Sequence, residues 1–445
     1  MSESPSLYAG VARRIISPPK GIFLIGYGDR TKGNLGIHDD LTATALVLAD
    51  GTTRVAIVAL DMLTVNEFIV DRVRARLAPA EVLLCCSHTH SGPIAYADGK
   101  SPRRNREYIN SLVENIVEAV QHAQSNLLPA RLEYSYNEAN VGINRREKMP
   151  DGHFEIGRNP EGARDKSVQV VSVLTDAGRR KDDKEGTRLA TIVNYACHGT
   201  VLGPDNLLVS ADWIGVMRKE VEEKLGSLVL FLQGAAANIN PNMYWEDARA
   251  FEMAAEQGLG VANAVLAAAH QTSEKMRAIP LRVERVEAWM PTETRVASSR
   301  PPKNYGKGLL SLAKMPAFMA VFADILLNQR YPWKSVIEAK DGFWSAPMRI
   351  NAVRIGDLAL VTFGAETFTE IGMKVKAASP AAHTLFASVS DGSISYLHTE
   401  ESHAEGGYEV DVAPLAYRYP GRLQAGCEKI ALDAAKSMLE KLWNA

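Results

Sequence analysis

Short apolar runs alternate along the chain with segments that carry a helical period. Nine runs rich in β-branched and aliphatic residues predict β-strands. They cover residues 54–60, 82–86, 131–136, 168–174, 190–196, 228–233, 352–355, 358–363 and 384–389. Because these runs are apolar almost throughout, we expect strands that are covered on both faces.

Helices are predicted where apolar residues recur every three or four positions. In residues 105–125, Ile109, Leu112, Val113 and Ile116 follow the i, i+3, i+4, i+7 pattern of one buried helix face. Similar patterns predict helices over residues 213–225, 245–270, 367–378 and 423–443. The combination indicates an α/β fold with mixed β-sheets flanked by helices, and no internal sequence repeat is evident.

Residues 298–340 interrupt this alternation. The segment opens with SSRPPKNYGKG and continues into an apolar stretch over residues 309–327. A buried core helix, a lid and an oligomer interface are three hypotheses for it. Lys314, Pro316 and Asp324 interrupt the stretch, which argues against a membrane span.

Composition narrows the class of protein. The 445 residues are 46% hydrophobic and 23% charged, as in soluble globular proteins, and the net charge of −2 gives no basis for binding nucleic acid. Four cysteines without a CxxC motif predict neither a disulfide framework nor a zinc ribbon. The N-terminal residues lack a secretory pattern, so we expect a cytoplasmic protein without stable membrane insertion. The sequence leaves homo-oligomer formation open.

Candidate chemistry collects where predicted strands end. The motif SHTHSGP at residues 87–93 follows one strand, and extended backbone would point His88 and His90 to the same side. Two histidines with this spacing suit a metal, although a hydrogen-bonded pair is the alternative.

Two further strand ends carry similar groups. His198 follows the strand at residues 190–196, and Glu366 follows the strand at residues 358–363. Alternatively, His198 has a structural role and Glu366 caps the following helix. Tyr396 by itself is typical of a buried core residue.

Several segments, in order, resemble the catalytic domain of neutral, non-lysosomal ceramidases and their shorter bacterial relatives. They are GIHDDL at 36–41, SHTHSGP at 87–93, Asn144-Arg145, CHGT at 197–200, Ser210-Ala211-Asp212, residues 233–242, Gly364-Ala365-Glu366 and Tyr396. The resemblance implies one Zn²⁺ ion held by His88, His198, Glu366 and Tyr396. Glu370 and Tyr408 are nearby competitors for the last two roles.

The same resemblance implies roles beyond the ligands. It places Arg145 at the active site, where it would hold a carbonyl or carboxylate oxygen of the substrate, although a salt bridge is the alternative. His90, next to His88, is expected to transfer a proton or to stabilise an oxyanion.

The chain departs from ceramidases at two points. The serine that follows a glutamine in that family is Gly234 here, so we expect direct attack by zinc-activated water. Backbone N–H groups of residues 233–242 could then stabilise the oxyanion. The chain also lacks a match to the family's C-terminal sandwich domain, which predicts a single catalytic domain over residues 1–445.

Together these features predict a zinc-dependent hydrolase of a non-peptide amide bond in a small or acylated substrate, with linear amides favoured. Hydrolysis of a carboxylic ester or lactone on the same zinc site is the alternative. A non-hydrolytic metal lyase or isomerase, or a catalytically silent binding protein, is the second alternative. Ceramide itself is a poor expectation as substrate without the family serine.

Overall fold

A computed structural model provides the fold, and it describes residues 7–28, 30–93, 95, 101–175, 186–243, 247–271, 273–277, 279–297, 337–417 and 419–444. Strands outnumber helices in the described part of the chain, and a helix follows most groups of strands. The first part contains β1 Tyr8–Ile15, β2 Gly36–Ile37, β3 Thr42–Ala49, β4 Arg54–Leu60, α1 Glu67–Leu77, β5 Glu81–Cys86 and α2 Arg103–Ser125.

The second part follows the same general order with more short strands. It contains β6 Leu128–Glu138, β7 Gly142–Lys148, β8 Phe154–Asn159, β9 Ser167–Thr175, β10 Arg188–Tyr195, β11 Leu208–Val209, α3 Asp212–Leu225, β12 Leu228–Gln233, β13 Ile239–Pro241 and α4 Ala250–His270.

The third part completes the described chain. It contains β14 Glu274–Met276, β15 Leu281–Arg295, β16 Glu338–Lys340, β17 Phe343–Ile355, β18 Leu358–Phe363, β19 Glu366–Thr367, α5 Thr369–Ala378, β20 His383–Ala387, β21 Tyr396–Leu397, α6 Glu400–Glu405, α7 Ala413–Ala416 and α8 Cys427–Asn444. A π-helical turn, Tyr408–Val412, precedes α7.

One topological unit occurs three times in this order. In each copy, three antiparallel strands are followed by a helix, a fourth strand parallel to the third, and a second helix. The copies are β1-β3-β4-α1-β5-α2, β6-β9-β10-α3-β12-α4 and β15-β17-β18-α5-β20-α8. We call them repeats 1, 2 and 3. They were not evident as a sequence repeat, because they share topology and not residue pattern.

The repeats form two facing sheets with helices outside. Repeats 1 and 2 join through β1 and β6 into a nine-stranded sheet, and repeat 3 forms a five-stranded sheet. One core cluster draws aliphatic side chains from all three repeats, including Leu48, Leu232 and Leu360. Each helix pair covers the outer face of its own sheet, with α2 on β1 and β3, α4 on β6 and β9, and α8 on β15 and β17. Burial of apolar strands on both faces explains why the predicted runs read as continuous.

The fourth strands of the repeats meet at the centre of the molecule. Ser388 N–H donates to the Gln233 carbonyl at 2.9 Å, which links repeats 3 and 2. Asp391 N–H donates to the Leu84 carbonyl at 2.9 Å, which links repeats 3 and 1. The turns that follow these strands are therefore brought to one place, although they are far apart in sequence.

The α/β prediction with mixed sheets is confirmed, and all nine predicted strands coincide with observed ones. The predicted helix at 423–443 begins later, at Cys427, and the predicted helix at 367–378 begins at Thr369 because Thr367 pairs in β19. The hypotheses for residues 298–340 fall almost wholly outside the described residues, of which that segment contributes only 337–340. The single-domain assignment stays a prediction. Among the described residues, no helix has the length and apolar character that spanning a membrane requires.

Candidate active site

Three strand ends, one from each repeat, supply the candidate metal-binding side chains. His88 is the second residue after β5, His198 is the third after β10, and Glu366 is the third after β18. His88 Nε2 lies 3.2 Å from Glu366 Oε2, and His198 Nε2 lies 3.4 Å from the same oxygen. All three side chains are buried.

The backbone around the two histidines fixes their direction. His88 adopts a φ of 62°, and its N–H donates to the Met62 carbonyl at 2.9 Å. The extended geometry expected for SHTHSGP is therefore wrong at His88, where the backbone is left-handed, a conformation that is rare outside glycine and often marks functional sites. Thr89 forms an isolated bridge with Gly199, where an added Cβ would lie 3.0 Å from Thr89 Cα. This close approach accounts for the glycine after His198.

Both imidazoles direct a lone pair at the carboxylate. His88 Nδ1 bonds the Leu63 carbonyl at 2.8 Å, and His198 Nδ1 bonds the Ala236 carbonyl at 2.6 Å. A carbonyl only accepts, so each Nδ1 carries the proton and each Nε2 is left as an acceptor. Burial, together with the charge of Arg145, lowers the pKa of His198 to about 4, which favours the neutral ring.

One of the two oxygens of the buried Glu366 carboxylate is not hydrogen-bonded within the described part of the chain. Glu366 Oε2 has no hydrogen-bond donor among the described residues. Burial opposes the ionisation of Glu366, and positive charge on the facing His88 and His198 rings would hold its pKa well below the usual range. With both rings neutral, a bound cation would supply that charge instead. Three acceptor atoms that face one another without a proton between them form an arrangement that a cation would stabilise. The residues therefore fit a divalent metal ion.

His90 stands beside this group. Its Nε2 lies 3.4 Å from His88 Nε2, and the His88, His90 and His198 ligand atoms all lie within 4.8 Å of one another, so these three could also hold a metal ion. Burial lowers the pKa of His90 well below its usual range. Gly26 packs directly against the His90 ring, because a Cβ on residue 26 would lie 2.5 Å from His90 Nδ1. Two ligand sets are therefore possible. Both contain His88 and His198, and the third ligand is either Glu366 or His90.

The carboxylates of Glu366 and Glu370 point to different places, whereas the rings of Tyr396 and Tyr408 lie close to each other. Glu370 faces away, because its Oε2 accepts from Asn238 Nδ2 at 2.9 Å. Glu366 does not cap α5, because the N–H of its first residue, Thr369, donates to Asn238 Oδ1 at 2.9 Å. Tyr396 pairs with Glu366 where β21 runs beside β19, and the rings of Tyr396 and Tyr408 are 5.8 Å apart. Burial is the main cause that raises the pKa of the Tyr396 and Tyr408 phenols, and the negative charge of Glu366 raises it further.

Arg145 reaches the site from β7 and also forms the salt bridge that was the alternative. Its Nε donates to Glu409 Oε1 at 2.8 Å, and its Nη1 donates to Asn240 Oδ1 at 3.2 Å. Nη1 also lies 3.4 Å from His198 Nε2. Nη2 is buried without a hydrogen-bond partner in the described part of the chain, so it is available to an oxygen of a bound molecule.

Two residues at the site gave no signal in the sequence. Glu409, in the π-helical turn, binds both Arg145 and Arg146, at 2.8 and 2.9 Å. Tyr417 donates its hydroxyl to Glu366 Oε1 at 3.1 Å. Neither residue lies in a recognisable motif, and their partners are distant in sequence.

Gly234 occupies a position with no room for a side chain. An added Cβ would lie 2.9 Å from Ala196 Cβ and 3.1 Å from the Ala196 backbone nitrogen. The loop that follows directs the Ala236 carbonyl at His198, while the N–H groups of Gly234 and Ala237 donate to Tyr195 and Thr367. This loop therefore orients His198, and those two N–H groups are not available to an oxyanion.

Serine at position 234 is expected to destabilise the fold by about 1–3 kcal/mol, because overpacking forces neighbouring atoms to shift. It is also expected to add no hydrolytic activity. Urea unfolding of Gly234→Ser measures the first effect. Gly426→Ser is the matched control, since a Cβ there would meet nothing within 4 Å. Unchanged stability with increased turnover would contradict this account of Gly234.

The family described as neutral/alkaline non-lysosomal ceramidase, N-terminal, matches residues 9–243, which is more than half of the chain. The chain belongs to this family. The ceramidase resemblance expected from SHTHSGP and CHGT is thereby confirmed.

Individual ceramidases are distant relatives. The neutral ceramidase of Pseudomonas aeruginosa is 24% identical over 94% of this chain and 70% of its own length. The neutral ceramidase of Mycobacterium tuberculosis is 26% identical over 49% of this chain, which corresponds to 38% of that protein. A crystal structure of the Pseudomonas ceramidase superposes with a TM-score of 0.74 at 20% identity, covering 99% of this chain and 75% of that one. The ceramidase-like fold is thus shared.

Proposed function

We propose that this chain is a zinc-dependent hydrolase that cleaves a non-peptide amide bond in a small or acylated substrate. One observation carries the proposal: two imidazole nitrogens and one carboxylate oxygen face one another at 3.2–3.4 Å in a buried site of a ceramidase-family fold. Two neutral nitrogens with one anionic oxygen form a ligand set typical of catalytic zinc. The relatives named neutral ceramidases support amide cleavage as the reaction.

The roles of the residues follow from their positions. His88, His198 and Glu366 would hold the ion, with Tyr396 beside Glu366 as a fourth ligand. Bound zinc supplies Lewis-acid activation of a water molecule and of the scissile carbonyl.

Two further groups would act on the substrate. Desolvation lowers the pKa of His90 well below its usual range, so a neutral ring would accept the proton of the attacking water and return it to the leaving nitrogen. Arg145 Nη2 can donate to the substrate carbonyl oxygen as negative charge develops there.

Metal analysis and hydrolysis assays test this proposal together. Purified protein that has not met a chelator is expected to carry about one zinc per chain, and to hydrolyse N-acyl amides faster than matched esters. A preference for esters or lactones would support the alternative reaction on the same site. Protein without stoichiometric metal, or zinc-loaded protein inert towards a broad amide and ester panel, would contradict a zinc hydrolase.

His90→Ala distinguishes the two ligand sets. If His90 transfers protons, kcat/KM is expected to fall by about 10²–10⁴-fold, while the zinc content stays near that of the wild type. His153→Ala is the control, since His153 is exposed and pairs with Asp151 and Glu155 and not with any candidate ligand. Loss of zinc in proportion to activity would instead identify His90 as a ligand.

A further inference from the structure

Tyr417 donates a hydrogen bond to one of the candidate metal ligands. It follows α7, and its hydroxyl donates to Glu366 Oε1 at 3.1 Å across 51 residues of sequence. Its ring packs against the cluster that contains Phe368 and Tyr396. The hydroxyl is therefore held at the outer oxygen of the carboxylate whose other oxygen faces the two histidines.

The backbone of Glu366 is fixed, but its carboxylate is not. Glu366 N–H donates to the Ser395 carbonyl at 2.9 Å, and β19 pairs with β21. The last side-chain torsion of glutamate is broad, so the backbone alone does not determine the orientation of the carboxylate plane. A donor on one oxygen, here Oε1, fixes that plane and leaves the other oxygen, Oε2, for the site.

We propose that Tyr417 is a positioning residue that holds Glu366 as a ligand through one oxygen only. This inference rests on the proposed metal-dependent function. A carboxylate can bind a cation through one oxygen or through both, and binding through both uses a coordination position that water or substrate needs. With Oε1 engaged by the Tyr417 hydroxyl, Oε2 alone is available, so one position stays open.

Zinc affinity is the measurement that tests this role. Tyr417→Phe keeps the ring and removes the donor, and its zinc affinity is expected to fall by about 10–100-fold, as is usual when a partner of a ligand is lost. The absorption spectrum of the cobalt-substituted variant is expected to change, because a freed carboxylate can bind through both oxygens. Competition with a chromophoric chelator measures the affinity without reference to turnover.

Tyr419→Phe is the matched control. This tyrosine lies two residues further along, its ring is 6.3 Å from that of Tyr417, and its hydroxyl donates to the Ile394 carbonyl instead of to a candidate ligand. It loses a buried hydrogen bond of similar kind, so its zinc affinity and cobalt spectrum are expected to match those of the wild type.

A double-mutant cycle keeps the test decisive if Tyr417→Phe weakens the fold. In a Glu366→Ala background, Tyr417→Phe is expected to leave the remaining zinc affinity unchanged, whereas a merely structural role would lower it again. Wild-type zinc affinity and spectrum in Tyr417→Phe would overturn the inference and leave the zinc hydrolase standing. A wild type without a zinc site would overturn both.

Discussion

Alanine in place of His198 is expected to remove nearly all zinc from the purified protein. Turnover should fall by about 10³–10⁴-fold, because zinc lowers the pKa of a bound water from roughly 15.7 to about 7 and that activation is lost. His88→Ala is expected to reach the same low level, since either change leaves one imidazole with Glu366. Metal content and kcat/KM measured on the same preparation test this directly.

Thermal unfolding separates ligand loss from misfolding in these variants. A site that binds zinc only in the folded state raises the stability of the wild type by about 2.7 kcal/mol at a zinc concentration 100 times Kd. His88→Ala and His198→Ala are expected to unfold at temperatures independent of added zinc, whereas His153→Ala should respond as the wild type does. A variant that lacks either histidine yet keeps one zinc per chain would exclude that residue as a ligand.

Glutamine in place of Glu409 is expected to lower the free energy of unfolding by about 3–5 kcal/mol, the usual cost of removing one partner from a buried ion pair. The Glu409 side chain is 2% exposed, and those of Arg145 and Arg146 are 5% and 6% exposed. Their two charges would remain buried without the carboxylate. Glu405→Gln is the matched control, because among the described residues Glu405 pairs with Arg146 and not with Arg145, and its side chain is 30% exposed. A loss of about 0–1 kcal/mol is expected for it.

The effect of Glu409 is expected to depend on pH in a defined direction. Burial opposes its ionisation, but the charges of Arg145 and Arg146 outweigh it and hold the pKa of Glu409 below 4.5. A carboxyl whose pKa is lower in the folded state stabilises the protein above the unfolded-state pKa, and that contribution is lost as the pH falls through the folded-state pKa.

The stability difference between wild type and Glu409→Gln should therefore be full above about pH 4.5 and shrink below it. Urea unfolding across this pH range measures it. A difference independent of pH, or a Glu409→Gln variant as stable as Glu405→Gln, would contradict the ion-pair account.

Strands with continuous apolar runs were predictable, and those with mixed patterns were not. The predicted bounds of β4, β12 and β18 match the observed ones, because aliphatic residues buried on both faces leave a local signal. By contrast, β15 buries few of its residues, so its sequence does not resemble an interior strand. The pattern did not predict α1, because five arginine and acidic residues before Leu77 interrupt its short buried apolar face.

The candidate site was predictable where a motif carried it. His88 and His198 lie in SHTHSGP and CHGT, and the structure brings both close to Glu366. Their role as metal ligands stays a prediction. The bond between Arg145 and Glu409 joins residues 264 positions apart, and no local pattern encodes such a pairing. The binding of both Arg145 and Arg146 by Glu409 is therefore evident only from the three-dimensional structure.

The threefold layout has a consequence for how this protein assembles. The ends of β5, β10 and β18 must meet before the site exists, and the Leu84–Asp391 contact alone closes a loop of 307 residues. Such closures cost chain entropy before any contact stabilises them, so we expect slow folding. An ion that bridges the three repeats would form its bonds after this docking step, and it would therefore slow unfolding more than it speeds folding.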